Sequence, residues 1–250
     1  MDWFFLLMSL ILGMFLASFY NVVAIRLPQK KTLAGRSECP SCFKTLKTID
    51  IIPLIGFIVN RGKCRFCQTK IPIRYVVVEI LGGLSFALAL FMIGLSWEYL
   101  AFFLVFSVLF LEALIDYEKK IVIDRIWMIG LVPLLILRIF QGVFLQHLLS
   151  SSILFGTMFS ISWIAGKIMK RDALGGGDVK LYIFIGFALT WLPGLLSIFF
   201  ASLFGFMYGI IRRDKSEREI AFVPFIALGV IVSFLFGEII IETYLNWVGL

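Results

Sequence analysis

Apolar runs of 18 or more residues recur along this chain, and each is long enough to cross a ~30 Å hydrocarbon core as a helix. No other feature restricts the fold so strongly. The 250 residues are 61% hydrophobic, include 27 Phe and have a mean hydropathy of +1.01, which excludes one or two soluble domains. The two-residue alternation of a membrane β-barrel is absent. The fold class is therefore an all-α polytopic membrane protein. Eight transmembrane helices are expected, at about 3–25, 75–95, 98–115, 126–140, 148–168, 179–192, 194–211 and 223–247. The first span has Asp2 before it and Arg26 after it, so it reads as a retained helix rather than a secretory leader.

Eight spans place both termini on one side, and the basic residues orient them. Of the 23 Lys and Arg, 22 fall in the connections 26–74, 116–125, 167–180 and 212–218, and Arg138 is the exception. The positive-inside rule predicts that this face is cytoplasmic. The opposite connections, near 95–97, 141–147 and 193, are short and almost uncharged. Trp97, Trp191 and Trp247 stand at the expected outer ends, as interfacial anchors do. The net charge of +7 then reflects topology and contact with anionic lipid, not nucleic-acid binding. Three segments follow: a first helix 1–25, a cytoplasmic loop 26–74 and a helical bundle 75–250. Oligomeric state is not legible.

Two aspartates stand at matching edges of apolar runs. Asp116 ends Ala-Leu-Ile-Asp, and Asp178 follows Gly175-Gly176-Gly177 and opens Val179–Leu189. The charge assignment puts both on the same face. A carboxylate at a bilayer edge is costly without a partner or a task. Two carboxyls that share a proton can activate a water, as in aspartic proteases. The glycines permit tight turns and close backbone approach to a substrate strand. The bland alternative is that both aspartates mark helix ends, with Asp178 as an N-cap. Asp124 competes for the first role, and Glu118 and Asp172 are further acids nearby. Glu112, one turn inside its span, is expected to face the bundle interior, pairing with a basic residue or positioning Asp116. Lys180 is a supporting residue beside Asp178.

All four cysteines lie in the 26–74 loop, as Cys39-Pro-Ser-Cys42 and Cys64-Arg-Phe-Cys67, with 21 residues between the pairs. That spacing predicts a tetrahedral four-cysteine zinc site. A closed site with four protein ligands leaves no position for catalysis, so the zinc is expected to fold a loop that has little core of its own. His147, the only histidine, reads as a solvated residue of an outer loop. A proton-coupled transporter and a zinc-ribbon scaffold are the other readings. The first lacks an internal repeat or a midplane acid path, and the second leaves the Gly-Gly-Gly-Asp loop unexplained.

These motifs together resemble the prepilin peptidases, membrane aspartic proteases that process type IV pilins and pseudopilins. The segment Gly13 to Pro28, with Ser18-Phe-Tyr-Asn21-Val and Arg26-Leu-Pro28, is similar to the family's N-terminal signature, with Ala17 where glycine is usual. The two CxxC pairs follow. Arg74-Tyr75 with Glu79 resembles the Arg-Tyr-Pro-x-x-Glu entry to the second span, with Val76 in place of proline. Asp116 and Asp124 resemble the aspartates of Ile-Asp…Pro-Asp, with Ile123 in place of proline. Gly175–Lys180 resembles Gly-x-Gly-Asp, and Phe222-Val-Pro224 the last cytoplasmic motif. The resemblance implies that Asp116 and Asp178 are the catalytic pair, with Asp124 supporting. It implies a prepilin or pseudopilin substrate cleaved at the cytoplasmic face of a bacterial inner membrane, in a pathway of pilus assembly, secretion or DNA uptake. It also implies methylation of the new N-terminus from S-adenosylmethionine, although loop 26–74 carries no glycine-rich nucleotide motif. A substrate entering from lipid predicts a mobile region at 165–180, hinged at Gly166 and the three glycines.

Overall fold

The computed structural model describes residues 3–170, 174–211 and 220–249. Ten helices and two isolated β-bridges make up the regular structure among these residues. The chain divides into two units, 1–95 and 96–250.

The first unit is a helix pair carrying a compact loop. Helix α1 (Trp3–Arg26) packs against α4 (Arg74–Ile93), and α2 (Thr48–Ile51) and α3 (Ile55–Val59) lie in the connection. In lipid, helix association depends on close packing, and small residues allow it. Gly13 and Ala17 of α1 meet Gly82 and Gly83 of α4. A Cβ at Gly13 would lie 2.7 Å from the Gly82 carbonyl oxygen, and one at Gly82 would overlap Ala17.

The second unit is a six-helix bundle: α5 (Trp97–Lys119), α6 (Asp124–Phe140), α7 (Phe144–Met169), α8 (Gly176–Ala188), α9 (Trp191–Ile211) and α10 (Val223–Val248). Helix α8 lies at its centre, packed against α5, α6, α7 and α9. Leu181, Tyr182, Phe184 and Ile185 are wholly inaccessible, so beyond Lys180 this helix is buried on nearly every side, as the apolar run Leu181–Ala188 requires. Gly186 lies directly against Ser151 of α7, where any Cβ would overlap the Ser151 backbone. Gly186→Ala is therefore expected to force α7 and α8 apart and to cost roughly 1–3 kcal/mol by overpacking. A fall in detergent melting temperature would register it, and an unchanged value would refute it.

Each of the eight expected spans contains a helix, but the count of eight spans needs correction. Among the described residues, six helices are long and apolar enough to cross a membrane. The exceptions are α6, with 17 residues, and α8, with 13. At about 1.5 Å per residue α8 reaches only ~20 Å, short of the hydrocarbon thickness. Its neighbours replace lipid around it, so apolar sequence at this position reflects protein core.

His147 is also corrected. Helix α7 begins at Phe144 rather than near 148, which puts His147 in the first turn with its ring 5% exposed. Its Nδ1 lies 3.4 Å from the Gly186 carbonyl oxygen. Arg138, the one basic residue outside the basic connections, is buried beside it. The guanidinium donates to Glu98 at 2.6 Å, to the Gln141 side chain, and to the carbonyls of Phe187 and Ala188. Those two carbonyls end α8 and lack intrahelical donors, so Arg138 acts as its C-terminal cap.

Candidate active site and metal centre

Asp116 lies within the last turn of α5, which ends where Lys120 adopts φ 54°. Its side chain is buried, and Oδ2 accepts the backbone N–H of Val223 at 2.9 Å. Val223 opens α10, and helix N-termini present unsatisfied N–H groups and a positive dipole end. The carboxylate of one helix thus caps another, 107 positions away in sequence.

Asp178 is the third residue of α8 and is also buried. It is not the N-cap: Gly175 holds that position, and the Asp178 Oδ2 is 3.2 Å from where a Gly175 Cβ would be. Asp116 and Asp178 are close enough for the charge of one to act on the other. The bundle therefore brings the two sequence-predicted aspartates together in one unit.

The remaining acids have other positions. Asp124 begins α6, bonds the Trp127 indole N–H at 3.2 Å and pairs with Lys180 Nζ at 2.8 Å, on a partly exposed surface. Lys180 therefore ties α8 to α6. Glu112 is fully buried, as its position predicts, but its partner is the backbone N–H of Ile123 at 3.1 Å rather than a basic residue. Its other oxygen, Oε1, has no partner among the described residues. Glu112 thus anchors the 120–123 turn between α5 and α6. Glu118 lies in the last turn of α5. Asp172 falls outside the described residues, as does 171–173 of the proposed mobile region, while Gly166 lies within α7.

The glycines have a more local task than substrate approach. A Cβ at Gly177 would lie 2.6 Å from Val122 Cβ, so the helix start and the 120–123 turn can touch only through a glycine. Gly176 meets nothing within 4 Å. The motif reading named Val223 only as part of Phe222-Val-Pro224 and gave it no role, because the group it supplies is a backbone N–H.

In the first unit the four cysteines converge, with all Sγ atoms within 4.8 Å of one another. The Cys39 and Cys67 sulfurs are 3.8 Å apart. Four sulfurs at ~2.3 Å around one tetrahedral ion would be separated by about this distance. The two halves repeat one geometry. Each first cysteine donates its N–H to the carbonyl five residues on, Cys39 to Lys44 and Cys64 to Thr69. The residue four positions on is left-handed in each, Phe43 at φ 55° and Gln68 at φ 59°. The Thr69 hydroxyl and backbone beside Cys67 hold its thiol down at about 6. The Lys44 N–H favours the Cys42 thiolate, but burial and the three neighbouring sulfurs outweigh it and push that thiol up to about 11. Four thiolates cannot share this space without a cation, and a bound dication removes the conflict. Asp50 braces the loop: it accepts from Arg65 Nη2 at 2.8 Å, Asn60 Nδ2 at 2.8 Å and Lys47 N at 3.1 Å. The Arg65 guanidinium holds the Asp50 carboxyl below its ordinary value.

A cavity of about 310 Å³ lies beside the cysteines, lined by residues including Ser18, Arg26, Tyr75 and Glu79.

Residues 11–93 match the bacterial peptidase A24 N-terminal domain, and residues 103–210 match the type IV leader peptidase family. A prepilin leader peptidase/N-methyltransferase of Bacillus subtilis is 31% identical over 94% of this chain and 96% of its own length. The chain belongs to the type IV leader peptidase family. A protein of Pseudomonas aeruginosa with the same description is 27% identical over 98% of this chain and 95% of its own length. A type 4 prepilin-like proteins leader peptide-processing enzyme of Escherichia coli is 30% identical over 88% and 90%. No solved structure matches the chain. As a peptidase of this family the protein offers a direct check on the Gly177 contact. Gly177→Ala should lower cleavage about ten- to a hundredfold by displacing Asp178, since an ångström-scale misplacement costs that much. Gly177→Ala with Val122→Ala should recover most of it. No rescue would mean that Gly177 acts through something other than Val122.

Proposed function

We propose that the protein is a membrane-embedded aspartic endopeptidase that removes the short basic leader from type IV prepilin or pseudopilin precursors. The observation that carries this reading is the buried pair Asp116 and Asp178, held within electrostatic reach at the end of α5 and the start of α8. One carboxylate takes a proton from a water as its oxygen attacks the scissile carbonyl carbon. The other carboxyl, protonated, donates to the carbonyl oxygen. Collapse of the tetrahedral intermediate then expels the amine, which leaves with a proton. A carboxyl pair that shares one proton titrates as a unit, and in this reading one member is the acid while the other is the base.

The basic connections support a site at the cytoplasmic face of a bacterial inner membrane. A prepilin carries its leader and cleavage point at that depth. The four cysteines hold a structural zinc, supported by their thiolate chemistry and sulfur spacing. Asp50→Ala should remove the loop's brace, costing about 1–3 kcal/mol, and should speed zinc release to a chelator. Release at the wild-type rate would rule out that role. A second activity, methylation of the new N-terminal amine by S-adenosylmethionine, is supported by the relatives' descriptions. The donor would supply a methyl group to that amine, and the cavity of the first unit has the volume of a small-cofactor site.

The deciding experiment is cleavage of a prepilin-like peptide by the purified protein in detergent, with product mapping by mass spectrometry. A single cut at the leader boundary is expected. No cut by a well-folded protein would return the transporter reading, testable as ion flux in liposomes.

A further inference from the structure

The cavity of the first unit contains a feature that peptide hydrolysis does not use. Glu79, on α4, lines it and is only 8% exposed. Its Oε2 accepts the backbone N–H of Leu54 at 2.9 Å. That single bond leaves Oε1 with no hydrogen-bond partner among the described residues. Oε1 is not among the fully buried atoms, so it opens on accessible space where a cation can reach it. Leu54 itself adopts φ 59°, a left-handed backbone unusual for a branched residue, in order to present its N–H. Four other charged residues line the cavity: Arg26, Glu38, Asp50 and Lys70. Arg26 donates to the carbonyls of Leu33 and Arg36, and Asp50 is taken by Arg65, Asn60 and Lys47. The lining also includes the apolar and aromatic residues Tyr75, Phe57 and Val22. An anionic group in an aromatic-lined recess is the chemistry that recognises an organic cation.

We propose that this cavity is a binding site for an organic cation and that the Glu79 carboxylate is its anchor. The assignment rests on the methyl-transfer reading for the source of the cation. Two groups have this chemistry there: the sulfonium of the methyl donor and the α-ammonium of the trimmed polypeptide. The recess lies within the first unit, and the aspartate pair within the second.

Calorimetry on the whole protein in detergent, with zinc bound, separates the sources. One arm compares S-adenosylmethionine with S-adenosylhomocysteine, which lacks the positive charge. The other compares a peptide with a free N-terminus and the same peptide acetylated. Tighter binding of either cation than of its neutral partner, weakened at least tenfold by Glu79→Gln, is the expected result. The arm that shows it names the source. Ser18→Met, which fills the cavity and leaves the Glu79–Leu54 bond in place, should weaken binding by a similar factor and covers the case of a poorly folded Gln variant. Zinc content and melting temperature monitor folding in both. Failure of the wild type to prefer either cation, or unchanged affinity in both folded variants, overturns the proposal. A separate methyl-transfer assay distinguishes the two readings. Cation binding through Glu79 in a protein that cleaves but transfers no methyl group supports the site and removes only methylation. Methyl transfer at the wild-type rate by Glu79→Gln refutes the site and leaves methylation standing.

Discussion

Asp116→Asn and Asp178→Asn should each lower cleavage of a prepilin-like peptide by about a thousandfold or more, while Asp124→Asn stays within about tenfold. General acid–base catalysis by one positioned group contributes roughly 10²–10⁴, and residues that act as a unit fail together. An asparagine keeps the size of each side chain and can still accept the Val223 N–H at position 116, so folding should survive. What it loses is a proton site. Asp124 differs in kind. It is partly exposed and bound to Lys180 and Trp127, and an exposed ion pair is worth only ~0.2–1 kcal/mol. The measurement is the specificity constant of each purified variant, with melting temperature as the folding control. Retained activity in Asp116→Asn with loss in Asp124→Asn would move the pair along the chain to the start of α6.

Removing the metal should have the largest effect on stability. Structural zinc contributes ~10–16 kcal/mol in small four-ligand folds. The connection between α1 and α4 has few alternatives to it: α2 and α3 contain 4 and 5 residues, and Phe43, Ile58 and Ile73 are largely exposed. Chelation, or Cys39→Ala with Cys64→Ala, should therefore unfold the 27–73 segment while the long helices persist. Limited proteolysis would then cut between residues 27 and 73, with little loss of helical circular dichroism. Metal analysis should fall from one zinc per chain to none. A protease-resistant loop after complete zinc removal would show that hydrogen bonds such as those of Asp50 suffice.

The local chemistry was legible in the sequence wherever a short stretch carries it whole. Two CxxC pairs 21 residues apart announce a metal centre because the ligand set and its turns are local. Long apolar runs announce helices because the period and length lie in the run itself. The same reading mistook α8 for a spanning helix and His147 for an outer-loop residue. The two have different causes: α7 begins at Phe144, earlier than its apolar run suggests, and that buries His147. Apolar composition does not distinguish lipid from protein as the surrounding medium, and α8 is surrounded by protein.

By itself, the sequence determined the all-helical membrane class of the fold and the four cysteines that the structure brings together, and it nominated the two aspartates of the proposed catalytic pair. Tertiary structure alone decided how those aspartates are held. Val223 caps Asp116 with a backbone N–H, Gly177 admits Val122, Arg138 closes the far end of α8, and Glu79 is left half-partnered in a recess. Each of these is a contact between segments distant in sequence. Three involve backbone N–H or C=O groups that nearly every residue type possesses, so no side-chain pattern marks these contacts in advance.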